Sequence, residues 1–115
     1  MTLRARQRRA VALAVVSGAL AAVVAPSHAE GGAAAFRARC ARCHGESGRT
    51  ETQSARVLKV RPLVADSKLA QMTPAEIVAA VKANAKHQGV DALKDVDDAE
   101  LRAAAAFVKT LAAKP

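Results

Sequence analysis

The chain has 115 residues, 18 Lys+Arg against 10 Asp+Glu for a formal net charge of +8, and 51% hydrophobic residues, of which only Phe36 and Phe107 are aromatic. That length bounds it at one small domain and excludes a multidomain enzyme; a cysteine complement of Cys40 and Cys43 excludes a disulfide-dense scaffold, and two aromatics exclude a module that stacks nucleic-acid bases. The apolar fraction is mostly alanine, which favours helix but supplies little volume, so a fold this small needs something besides side chains at its centre.

Residues 1–9 carry Arg4, Arg6, Arg8 and Arg9 with no acid, and Ala10 to Ala25 is uncharged and largely apolar. Pro26-Ser27-His28-Ala29 then offers Ser27 and Ala29 as the small residues a signal peptidase accepts. Residues 1–29 are predicted as a cleavable secretory signal of the general route, and 30–115 as the working domain. The apolar run falls short of the roughly 20 residues of a bilayer span, so membrane attachment arises only if the leader stays uncut. The four arginines leave with the leader, the +8 of the whole chain becomes +4, and a nucleic-acid partner loses both its charge and its compartment.

Three helices are predicted in the working domain. The first runs from Ala33 to about Cys43 and places Phe36, Cys40 and Cys43 on one face. Gly45 to Lys59 is polar and aperiodic, a loop with at most a helical turn near Arg56. The second helix begins at Thr73-Pro74-Ala75-Glu76, a capping box with Pro at the first helical position and a Met72–Ile77 staple, and runs to about Lys86. The third repeats the device with Asp97 as cap and Glu100 three residues on, and runs to about Ala112 with Leu101, Ala104, Phe107, Val108 and Leu111 on one stripe. No segment alternates as a strand, so the class is all-α.

Cys40-Ala41-Arg42-Cys43-His44 is the C-x-x-C-H pattern of c-type haem attachment. Two cysteines three apart on a helical turn point the same way and can form thioethers with the two vinyl groups of one haem, and the next residue offers an imidazole to the iron. Rival uses of the motif fit less well. A thioredoxin-like pair belongs beside a βαβ pattern that is missing here, structural zinc takes its ligands as separated pairs, and a plain disulfide leaves His44 without a role.

From Gly31 to Ala112 the sequence resembles the small bacterial class I c-type cytochromes. The likeness rests on the attachment motif and on Gly32 and Phe36, eight and four residues before the first cysteine, with Phe107 as the aromatic of the last helix. It implies an all-α class I cytochrome c fold wrapped around one covalently bound haem c, electron transfer in the periplasm without enzymatic activity, and His44 as the proximal iron ligand. It also implies that the carbonyl of Pro62 holds the Nδ1 proton of that histidine. One feature departs from the family, whose second axial ligand is a methionine between the second and last helices. Ala85 to Leu93 contains none, and Val90 stands near the expected place. His87 in that loop and Met72, the sole methionine of residues 30–115, compete for the position, and a five-coordinate or water-closed iron is the third option. Bis-histidine ligation implies a low-spin, low-potential carrier; an open site implies a binder or sensor of a small gas. A further alternative is the cytochrome subunit of a larger oxidoreductase.

Arg37, Arg39, Arg42, Lys59, Arg61, Lys68, Lys82 and Lys86 fall on segments that would surround the haem edge, a pattern suited to docking acidic redox partners, with the chain itself a monomer. The acidic run from Asp91 to Glu100 is read as the preference of a helix N-terminus for negative charge.

Overall fold

A computed structural model describes residues 28–115 and, within the expected leader, residues 14, 15, 17 and 18. The remainder of the expected 1–29 signal lies outside the described residues. Among the described residues, six α-helices follow in chain order, α1 (His28–Arg39), α2 (Ala41–His44), α3 (Gln53–Leu58), α4 (Ser67–Gln71), α5 (Pro74–Ala83) and α6 (Asp98–Ala112), with 3₁₀ turns at Ala85–His87 and Asp91–Leu93. No strand occurs among the described residues, in agreement with the all-α expectation, and none of their helices is long and apolar enough to cross a membrane.

The two terminal helices form the frame. A Cβ on Gly32 would sit 2.6 Å from the Ala103 carbonyl oxygen and 3.2 Å from Phe107 Cβ, so glycine is what lets α1 and α6 come this close. One turn on, Phe36 is fully enclosed and meets Phe107 with ring centroids 5.3 Å apart and planes tilted by 52°, a favourable aromatic geometry. The rest of the buried set is dominated by Ala35, Ala41, Ala55, Ala104, Ala105 and Ala112, with Ile77, Leu101, Val108 and Leu111 as the larger members. α4 and α5 pack on α6, and residues 63–66 return to its C-terminal end through Ala65 N–H to the Lys114 carbonyl at 2.7 Å and Asp66 N–H to that of Ala112 at 3.0 Å.

Helix starts follow the capping chemistry of the sequence. Thr73 accepts from Glu76 N–H at 3.1 Å and Asp97 from Glu100 N–H at 2.7 Å. Three boundaries differ from the expected ones. The first helix begins at His28 rather than Ala33. The first helix is not continuous to Cys43: Cys40 leaves helical geometry at φ −121°, and its carbonyl accepts from Cys43 and His44 N–H to begin the separate turn α2. The second long helix stops at Ala83 rather than Lys86, because Asn84 turns out to φ −76°, ψ 119° and its side chain caps the next turn by accepting from Lys86 N–H at 2.9 Å. The segment read as a loop carries α3, whose cap Thr52 accepts from Ala55 N–H and donates its hydroxyl to the Cys43 carbonyl at 2.8 Å.

Candidate functional site

A cavity of about 510 Å³ opens between α2, α3, α5 and the loop before α6, a size within the roughly 300–1,000 Å³ of small-molecule and cofactor clefts. Its walls are mostly apolar, with Phe36, Leu63, Leu69, Ile77, Val81 and Val108 among them. An alanine-rich core thus leaves unfilled volume at this place. Cys40, Cys43, His44 and His87 all line it, as do Pro62 and, where the second axial methionine would stand, Val90.

α2 places three of these groups by its single turn. Cys40 and Cys43 are half-buried and free, and burial pushes the Cys40 thiol up to about 11, with the nearby charges of Cys43 and Glu100 adding to the effect. A thiol held protonated is a poor nucleophile at neutral pH, the opposite of a redox-exchange cysteine. His44 lies with Nδ1 fully enclosed and without any hydrogen-bond partner, which leaves Nε2 as the nitrogen for the cavity. The expected bond from that Nδ1 to the Pro62 carbonyl is not formed; Pro62 contributes wall instead. Burial lowers the basicity of His44, and the nearby His87 adds to this by charge repulsion, so the ring stays in the neutral, lone-pair-bearing form that metals bind.

Across the cavity, the centroid of the His87 ring lies 6.3 Å from that of His44, with the planes tilted by 52°. His87 Nδ1 is 2.9 Å from the Val81 carbonyl oxygen. A carbonyl can only accept, so Nδ1 carries the proton in this bond. Sequence spacing gave no hint of this contact, since the acceptor is a backbone atom in the last turn of α5. Met72, by contrast, is half-buried at the C-terminal cap of α4 and does not line the cavity.

The family described as cytochrome c oxidase, cbb3-type, subunit III matches residues 27–108. The chain belongs to that family of c-type cytochrome domains. No curated protein and no solved structure matches it. A c-type cytochrome carries covalently bound haem c with its iron, and the cavity suits that group: an apolar slot with two thiols on one wall and two imidazoles across it. The haem thus completes the core of this cytochrome, and its role is haem-based electron transfer.

The surface around the cytochrome's cavity is less uniformly basic than the sequence pattern implied. Arg39 is paired with Asp95 and Glu100, Lys82 with Asp98 and Arg37 with Glu46, while Lys86 donates to the Leu58 carbonyl at 3.3 Å. Of the acidic run, Asp95, Asp98 and Glu100 thus serve as partners for cations from α1 and α5, beyond any preference for a helix start. Lys59 and Arg61 remain at the cavity mouth, next to the residues Val57 and Leu58, which are 72% and 52% exposed.

Proposed function

We propose that this chain is an exported monohaem cytochrome that passes single electrons between partner proteins, with Cys40 and Cys43 as thioether anchors, His44 as proximal ligand and His87 as distal ligand. The bound haem supplies a reversible one-electron Fe(III)/Fe(II) couple. The protein's share would be to hold that group in an apolar slot, with His44 and His87 as the two imidazole donors.

The observation that carries the reading is the placement of the two histidines. A metal-bound imidazole nitrogen sits about 2.0–2.1 Å from a first-row ion, and the ring centroid roughly 1.1 Å farther, so two imidazoles on opposite sides of one ion have centroids about 6.2–6.4 Å apart. The separation here is 6.3 Å. The Val81 carbonyl supports the assignment further, since it orients the His87 ring in the way partners of metal-bound histidines do. Exchange of the family's thioether sulfur for imidazole lowers the reduction potential.

The test is the visible spectrum of the holoprotein. The wild type is expected to be low-spin in both oxidation states, His87→Ala to become high-spin, and Met72→Leu to stay low-spin. An unchanged spectrum in His87→Ala overturns the assignment.

The mouth of the cavity supports docking of a partner with an acidic rim, around Val57, Leu58, Lys59 and Arg61. The family's description favours a second reading, in which the chain serves as the cytochrome subunit of an oxidase assembly. Isolation of the tagged chain under native conditions separates the two: a free carrier elutes alone, a subunit with its oxidase. Export predicts a mature chain that begins after Ala29, which intact-mass measurement checks.

A further inference from the structure

The loop from Asn84 to Val96 carries His87, and its two halves are held differently. The first half is tied back to its surroundings by His87 Nδ1 to Val81, Gln88 Nε2 to the Lys82 carbonyl at 2.8 Å and Lys86 to Leu58. In the second half, the backbone bonds of Val90, Leu93 and Lys94 and the Lys94–Asp91 pair stay inside the loop. Among the described residues, apart from Val90 N–H to the His87 carbonyl at 3.3 Å, the polar bonds that join Gly89–Asp95 to the rest of the molecule come from one side chain, Arg39. Its Nη1 donates to the Ala92 carbonyl at 3.0 Å and to Asp95 Oδ1 at 2.8 Å, and its Nε and Nη2 grip the two carboxylate oxygens of Glu100 on α6 at 2.9 and 3.1 Å.

Arg39 is the residue before Cys40, so the strap starts at the attachment turn and ends on the loop that closes the opposite side of the cavity. Both Arg39 and the loop residues Val90 and Leu93 line that cavity. The arginine side chain is 21% exposed, against 54% for Lys82 and 67% for Lys94 in the other pairs of this region. A planar guanidinium that spends its donors on one bidentate carboxylate, a second carboxylate and a carbonyl is held in a single geometry, which lysine could not reproduce.

We propose that Arg39 is a positioning residue that latches the distal loop shut and so sets how fast an external ligand can displace His87 from the iron. The proposal rests on His87 as the distal ligand. With the latch in place, the loop has to break charge-assisted hydrogen bonds before the imidazole can swing away; without it, the second half of the loop is joined to the fold only through Val90 N–H to the His87 carbonyl, its packing and its chain ends.

The experiment is carbon monoxide binding to the reduced holoprotein, followed by stopped flow in the wild type, Arg39→Met, Asp95→Asn and Phe107→Leu. Arg39→Met keeps the aliphatic stem and is expected to stay low-spin at rest while binding carbon monoxide roughly tenfold faster or more, the factor that loss of a charged hydrogen bond gives in a loop-opening equilibrium. Asp95→Asn, which keeps Glu100 and the fold, should show a smaller rise, and it carries the test if Arg39→Met does not accumulate. Phe107→Leu loosens the α1–α6 contact away from the loop and should lower thermal stability without accelerating binding. Amide exchange gives a second readout, since the N–H groups of Leu93 and Lys94 should exchange faster in Arg39→Met.

An unchanged rate in both Arg39→Met and Asp95→Asn overturns the latch, as does an equal acceleration in Phe107→Leu, which would make the effect one of global stability. A high-spin wild type that binds carbon monoxide without delay instead removes His87 as ligand and the latch with it. The resting spectrum therefore tells the two failures apart.

Discussion

The two walls of the cavity are built by different physics. The attachment side consists of α1 and α2 backed by α6, and it is fixed by dispersion and burial: Gly32 against Ala103, and Phe36 against Phe107. The opposite side is a run of short 3₁₀ turns whose residues Asn84, Ala85 and Lys86 are exposed, and hydrogen bonds to backbone carbonyls and one arginine hold it in place. Packed helices open only with the whole fold, whereas a polar loop can open by itself. Under the proposed ligation, this division would put a permanent ligand on the first wall and an exchangeable one on the second.

Substitutions can break that contrast at graded cost. The largest effect is expected at the anchors: with Cys40→Ser and Cys43→Ser together, haem should be fully extractable by acidified solvent, while the wild type retains it through denaturation. Next, Phe36→Ala should cost about 3–5 kcal/mol of folding stability, read from denaturant unfolding, yet leave the resting spin state unchanged. Asn84→Ala should do the reverse. Loss of its cap on Lys86 removes about 1 kcal/mol from the loop alone, seen as faster amide exchange around His87 with a nearly unchanged melting temperature. The smallest effect belongs to the exposed Lys82–Asp98 pair that joins α5 to α6. Hydrogen bonding to Lys82, and then its charge, holds the Asp98 carboxyl below the ordinary carboxylate range. Its small contribution is complete above that range and is lost as pH falls through the lowered value; Lys82→Met should flatten this part of the acid-unfolding profile.

Much of the first wall was legible in the sequence because its signals are local. C-x-x-C-H fixes thiols and imidazole on one turn, and the family resemblance carried by Gly32, Phe36 and Phe107 pointed to the residues that form the observed α1–α6 contact. The capping residues Thr73 and Asp97 also marked their helix starts correctly. The second wall was harder to read. His87 could be named as a candidate because it stands in the right loop, but its partner is the Val81 carbonyl, and every residue has a carbonyl. Arg39 was read as one cation in a surface ring, since nothing local links it to acids more than fifty positions away; Asp95 and Glu100 reach it only when α6 folds back along α1. The break at Cys40 and the stop at Asn84 escaped for a related reason, because alanine-rich helices carry no strong boundary signal of their own.

The sequence by itself determined the chemistry of this protein: a covalent haem c, an all-α frame to carry it, and a core whose missing volume anticipated a cofactor. Those properties depend on residue types at short spacing, and helical geometry turns such spacing directly into position. Only the tertiary structure decided which histidine faces His44, which charges cancel and which remain at the cavity mouth, and which side chain ties the distal loop down. Each of these is a distance between segments far apart in the chain, and such distances are set by how closely α1 and α6 can pack, which here depends on a glycine.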